Sequence, residues 1–598
     1  MPTLRWKWTF SATPMAVWTY ISDMQRVEQA SGMPSVAFKD TPHPEGGSTL
    51  HGRTRQLGLL LVWNERPFEW VAGEYFRVQR NYTKGPLELA DNRVTLETTP
   101  EGTLLNHSLE LKGKNWFWNL VARFFVGIRM RRAFLRVYKQ IDAYLKQDEP
   151  LAFSKRAMHR SKVNPAKLRF LSRRLADAQT ADMAQLMSIH LREEADRDLH
   201  HMRPFAVADT WDVSREKTLS LFLHATNVGM LTLHWDILCP LCRNSPEHFD
   251  NLRDIKTQVH CTACGIDFGP DLATNVQATF SPVPSVRELE VEDFCTAGPQ
   301  TTPHILIQQL VGPQASTTVR IRLEEGHYRL RGPRFSGTTR IQIESAEASN
   351  LHFRPSENHE ELSKVGGDLT LHLENPGSDE QVILLERDAH RADAATADLV
   401  IADLEFRHYF AEQALAPGQK LSISRMYFLF TDLQNSVRLY EELGDAEAYA
   451  MVRTHFKTLA GIIEEFGGSV IKTVGDSIMA VFSEPTAAIY AVEEAHRQTK
   501  LDSSDRLTIK FGMHGGPCLV IDANGAMDYF GRTVNMASRF QDLSQGGDFV
   551  ISMDIANNPE ITALLVELQA DCTDEEAMLK GFNDPVPFQR VRFADKPV

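Results

Sequence analysis

No apolar run in this chain is long enough to cross a bilayer. The longest, such as LGLLLVW at 57–63, fall far short of the roughly 20 residues a spanning helix needs. The opening residues, MPTLRWKWTF, lack the apolar core of a secretory signal. The sequence therefore predicts a cytoplasmic protein that is not integral to a membrane. Positive charge is in deficit: 64 Lys and Arg stand against 78 Asp and Glu, a net charge of −14. That balance opposes nonspecific binding to nucleic acid or anionic membranes, both of which are polyanions. Any phosphate site must then be a local concentration of cations. Cysteine is scarce, with seven in 598 residues, which argues against a disulfide framework. Four of the seven fall in two C-x2-C pairs, the pattern of a cytosolic zinc site. Internal repeats and low-complexity tracts are also missing.

What is present is an ordinary globular composition, 42% hydrophobic and 24% charged. The length is too great for one core and suggests about four domains. The expected fold class is multidomain α+β. Residues 1–148 read as strand, short helix, many strands, then a long helix from about Asn115 to Lys146 with Val121, Phe124, Ile128, Leu135, Tyr138, Ile141 and Leu145 at helical spacing. This order resembles the helix-grip fold of the START-like superfamily. The resemblance implies an apolar cavity for a lipid or other apolar small-molecule effector; plain core packing would give the same stripe.

Residues 149–236 are read as a linker followed by a winged-helix-like segment, whose second helix has a good N-cap in Ser214 and a good terminator in Gly229. Only Arg215 and Lys217 are cationic in that helix, so nucleic acid is not an expected partner. Residues 237–270 hold CPLC (239–242) and CTAC (261–264). Two such knuckles close a tetrahedral site, with Cys239, Cys242, Cys261 and Cys264 as the expected ligands of a structural Zn2+. Residues 271–392 alternate like the strands of a β-sandwich, and 393–420 form a linker with a helix over about 393–413.

From 421 to 598 the pattern becomes β-α-β-β-α-β, the ferredoxin-like order. RMYFLFTD (425–432) is an apolar strand ending in Asp432, and SVIKTV and SIMAVF form a hairpin with Gly475-Asp476 at its turn. LTIKFGMHGGPCLVI (507–521) is expected to give two strands. Hard divalent cations favour such exposed carboxylates.

FTDL (430–433), KTVGDSIMAVF (472–482), GMHGGP (512–517), DYFGRTVNMASRF (528–540) and LKGFNDPVPFQRVRF (579–593) resemble the class III adenylate and guanylate cyclases. The whole chain resembles bacterial multidomain cyclases with a helix-grip domain and a four-cysteine segment. The resemblance implies that ATP is converted to cyclic AMP and pyrophosphate at two Mg2+ or Mn2+ ions per active site. Asp432 and Asp476 match the metal ligands, Lys472 and Asp528 the purine-selecting pair, and Asn535 and Arg539 the transition-state pair. It also implies a homodimer through the cyclase domain, with each site shared. A lysine donor and a carboxylate acceptor complement the N1 and N6 edge of adenine. The chain departs from the family at Gln434-Asn435-Ser436, where a glycine-containing turn is usual. His514 is read as a packed strand histidine. Guanylate cyclase activity and a non-catalytic sensor with a cyclase fold are the alternatives.

Overall fold

The computed structural model describes residues 3–593 except 43–47, 57, 124–126, 150, 154–157, 241–242, 262–265, 296–297, 333–337, 355–362, 388–393, 411–419, 435–440, 502–507, 524–525 and 581–583. The first strand, Thr3–Phe10, points Trp6 and Phe10 inward in strict alternation and pairs antiparallel with Gly102–Gly113. Two helices follow, Pro14–Ile21 with proline at its first turn and Met24–Ala30 capped by the Asp23 carboxylate. The sheet then runs from Thr3–Phe10 through Gly102–Gly113, Leu87–Thr99 and Tyr75–Lys84 to Glu69–Val71.

The expected closing helix is described in two stretches, Trp116–Val121, capped by the Asn115 side chain, and Gly127–Leu145. Ile128 is 51% exposed instead of lying on the core stripe, and Phe124 lies outside the described residues. The face toward the sheet is Ala133, Phe134, Val137, Tyr138 and Ile141. A Cβ on Gly127 would come within 2.7 Å of the Leu4 side chain, so glycine lets the helix backbone press against the first strand. Between sheet and helix lies a cavity of about 580 Å³, walled by Leu61, Val78, Leu109, Met130 and Phe134, with Arg80 and His107 among its polar lining.

Residues 165–282 build a helical layer on a three-stranded sheet. The strand Leu231–Ile237 is central, flanked by Glu247–Phe249 and Val276–Pro282. Val276–Pro282, which sequence places with the β-rich segment, therefore completes the preceding unit. The buried Arg287 guanidinium donates to Asp196, which also accepts from the backbone of Ser161 and Glu290. The remaining β-rich strands, expected as two facing sheets, follow one path. It begins where Ile307 pairs with Val71 of the N-terminal sheet, giving a continuous 14-stranded sheet. One of its ladders is parallel, Thr339–Phe353 with Ser363–Asn375. The three-residue strand Glu69–Val71 would otherwise leave an open edge, and the pairing covers it.

The C-terminal sheet has eight strands, with Lys420–Leu433 between Ser477–Phe482 and Ile509–Ala523. Ile509–Ala523 is one strand, not two. Its glycines serve close approach instead of a turn: a Cβ on Gly512 would meet the Gln541 backbone at 2.0 Å, and one on Gly515 the Tyr427 ring at 2.4 Å. Tyr427 and Leu429 face the helices Asp445–Glu465, Pro485–Leu501 and Pro559–Glu567. Met426, Phe428 and Val520 face the opposite way. They share one core with Trp235, Phe280 and the linker residues Val400 and Phe406. That linker is two short helices, Ala397–Ala402 and Leu404–Tyr409, because Asp403 stops the first and caps the second by accepting from the Phe406 N–H at 3.0 Å.

Candidate active site

The sheet positions the metal-side residues by register. Asp432 ends the strand Lys420–Leu433, where Thr431 pairs with Ile478, so the tip of the neighbouring hairpin lies alongside. Gly475, at φ +64°, makes that tip in the left-handed region glycine favours. The Ile478 N–H donates to Thr431 Oγ1 at 3.3 Å and pins the hairpin. Ser477 Oγ donates to Asp432 Oδ1 at 2.7 Å. Burial raises the Asp432 pKa above its ordinary value; the Ser477 hydrogen bond opposes this and the charge of Asp476 adds to it. A half-buried carboxylate crowded by a second one is a poor isolated anion and a good hard-cation ligand. The donor set thus fits a divalent cation.

Two residues here escaped the sequence reading. Ser477 fixes the Asp432 rotamer. Lys510 is the direct cross-strand neighbour of Asp432, and its charge opposes the rise in the Asp432 pKa. Ser477 could have been noticed beside the Gly475-Asp476 turn. Lys510 could not, because only the strand register brings it to Asp432.

The purine-side pair is assembled from distant segments. The strand Ala526–Phe530 pairs with the end of Ile509–Ala523, and Tyr529 packs edge-on against Phe428 at 5.5 Å. This places Asp528 beside Lys472, whose Nζ donates to Asp528 Oδ2 at 2.6 Å. The Tyr529 N–H donates to Asp528 Oδ1 at 2.8 Å and sets the carboxylate orientation.

Asn535 and Arg539 ride on the helix Arg532–Leu543, one turn apart and on one face. Thr533 Oγ1, donating to the Pro517 carbonyl at 2.5 Å, ties the start of that helix to the sheet. Asn535 is exposed, and Arg539 pairs with Asp542 at 3.1 Å. Among the described residues, neither forms a hydrogen bond or ion pair with Asp432 or Asp476. Lys472 and Arg539 pair instead with Asp528 and Asp542. His514 is buried against Phe540, and burial lowers its pKa.

At the departure from the family pattern, the Gln434 N–H donates to the Thr508 carbonyl at 2.8 Å; Asn435 and Ser436 lie outside the described residues. In the cysteine segment, Cys239 and Cys261 are both buried and share one small cluster with Ile266 and Phe268. Cys242 and Cys264 lie outside the described residues. Among the described residues, no group of three or more His, Cys, Asp or Glu side chains is placed to hold a metal.

Residues 419–581 match the adenylate and guanylate cyclase catalytic domain family, and residues 166–300 match a family of unknown function, DUF5939. The latter match runs across both cysteine pairs and the three-stranded sheet. An adenylate cyclase of Lachancea kluyveri is 30% identical over 153 residues, covering 22% of this chain and 8% of that enzyme. A receptor-type adenylate cyclase of Trypanosoma equiperdum is 25% identical over 192 residues, covering 25% of this chain and 39% of that enzyme. The chain thus spans well under half of either relative. The crystal structure of the adenylyl cyclase CyaB from P. aeruginosa is 24% identical, covering 30% of this chain and 99% of that one, with a TM-score of 0.25. Residues 419–581 are thus similar to the adenylate and guanylate cyclase catalytic domain, and they follow a segment similar to a family with no assigned function.

Proposed function

We propose that the chain is an adenylate cyclase that converts ATP to 3′,5′-cyclic AMP and pyrophosphate under control of its N-terminal domains. The observation that carries this is the Lys472–Asp528 pair at 2.6 Å. It offers one donor and one acceptor side by side, the complement of the adenine N1 and N6 edge; guanine would meet donor with donor and acceptor with acceptor. Asp432 and Asp476 would hold two Mg2+ or Mn2+ ions, which supply charge neutralisation and a lowered pKa for the ribose 3′-hydroxyl. Ser477 holds Asp432 in place for that role. Arg539 stabilises negative charge at the α-phosphate, and Asn535 orients the ribose. Positioning and electrostatics then account for most of the acceleration.

The pairing of Lys472 and Arg539 with Asp528 and Asp542, and not with Asp432 or Asp476, supports a site shared across a twofold homodimer. One protomer gives Asp432 and Asp476. Its partner gives the Lys–Asp pair and the Asn–Arg face. The burial of Cys239 beside Cys261 supports a structural Zn2+ completed by Cys242 and Cys264. The N-terminal cavity supports a helix-grip domain that takes an apolar or lipid effector. Incubating the purified chain with ATP or GTP and either metal, with cyclic nucleotide as readout, tests the activity. Cyclic GMP as the main product would favour the guanylate reading, and no product with either metal would favour a non-catalytic sensor.

A further inference from the structure

A net charge of −14 hides a strong local exception. Residues 111–141 contain Lys112, Lys114, Arg123, Arg129, Arg131, Arg132, Arg136 and Lys139, and no acidic residue. Lys112 pairs with Glu88 at 2.5 Å. Arg129, Arg131 and Arg132 are exposed and have no acidic partner among the described residues. At physiological salt, charges beyond about 8 Å are screened, so a surface meeting this patch senses the patch and not the whole-chain charge.

The same segment carries apolar side chains that are exposed among the described residues. Trp116 is 77% exposed, Phe117 50% and Leu120 48%, and all lie on the helix Trp116–Val121. Their spacing puts them on one face. Trp118, Val121 and Ala122 take the other face and line the N-terminal cavity. Arg129, Met130 and Arg136, on the following helix, line that cavity too, so both helices border it. An aromatic and apolar face ringed by cations is the arrangement of a segment that lies in the headgroup boundary of an anionic bilayer.

We propose that the exposed face of Trp116–Val121, with the arginines at the start of Gly127–Leu145, is a docking surface for an anionic lipid bilayer, and that docking brings the cavity mouth to the membrane. Charge complementarity selects this occupant: a second copy of the chain would set Arg129, Arg131 and Arg132 against the same three cations. The inference does not depend on the cyclase reading.

The test is co-sedimentation of the full chain with vesicles of phosphatidylcholine alone or mixed equally with phosphatidylserine. Binding should appear only with phosphatidylserine and fall as salt rises. Arg131→Gln with Arg132→Gln should weaken it on the order of tenfold or more, since each surface cation contributes a several-fold factor. Trp116→Ser with Phe117→Ser should remove it while leaving cyclase activity without vesicles unchanged, because both side chains are exposed and far in sequence from the site. Absence of binding to phosphatidylserine vesicles would overturn the proposal. So would undiminished binding by either double variant, or self-association that these variants abolish in a chain that never sediments with vesicles.

Discussion

Replacing Lys472 by Glu and Asp528 by Cys perturbs purine choice with little reason to perturb the fold. The Lys472 side chain is 43% exposed and that of Asp528 is 20% exposed. An ion pair this open contributes at most about 1 kcal/mol to stability, so the melting temperature should move by only a few degrees. The effect on ATP should be much larger. On the proposed assignment each residue would supply one hydrogen bond to adenine from a charged group, and such bonds contribute about 1.5–3 kcal/mol. Losing both removes roughly 3–6 kcal/mol of binding to the adenine edge, or about 10²- to 10⁴-fold in kcat/KM at 1.36 kcal/mol per decade. The Lys472–Asp528 bond must open to admit the base, which moves the expected loss toward the lower end of that range. GTP use should fall far less or rise, since Glu accepts from the guanine edge. The assay is kcat/KM for ATP and GTP, each with Mg2+ and Mn2+, beside a thermal melt of each variant. An ATP-to-GTP ratio that stays at the wild-type value in a folded double variant would refute the assignment.

Asp432→Ala and Asp476→Ala should each remove nearly all activity while circular dichroism stays native; near wild-type turnover in either would discard the metal assignment. The raised pKa of Asp432 has a stability consequence. A carboxyl whose folded pKa exceeds its unfolded value costs stability once pH rises above the unfolded value, and the cost is complete above the folded value. Asp432→Asn should therefore melt no lower than wild type at neutral pH without metal, with any advantage fading under acid; a clear loss of stability at pH 7 would contradict it. Mixing Asp432→Ala with Arg539→Ala chains should restore about a quarter of wild-type activity, because half of random dimers are mixed and each holds one intact site of two. If labelled subunits exchange and activity does not return, the shared site fails. Cys239→Ser should release bound zinc, read by metal analysis, and loosen residues 237–270, read by limited proteolysis; a wild-type protein purified without zinc would end that reading.

Local physics fixed much of the C-terminal domain. The hairpin Ser469–Val474 and Ser477–Phe482 falls where the sequence places it, around the Gly475-Asp476 turn. Spaced motifs marked Asp432, Lys472, Asp476, Asp528, Asn535 and Arg539, because their chemistry depends on residue type, which sequence carries directly. Other features depend on what a residue meets after folding. Gly515 and Gly516 look like a turn, yet they lie inside one strand because a ring and a threonine side chain occupy the space a Cβ would need. Asp403 looks like the interior of one linker helix, yet its carboxylate gains more as a cap. Strand register alone set Lys510 opposite Asp432. Pairing of Ile307 with Val71, far apart in the chain, joined two expected sheets into one. Sequence thus determined the local periodicities and the chemical identities. Tertiary structure decided which edges meet, which glycines touch a neighbour and which apolar face stays bare, since each is a property of two surfaces brought together and no single segment encodes it.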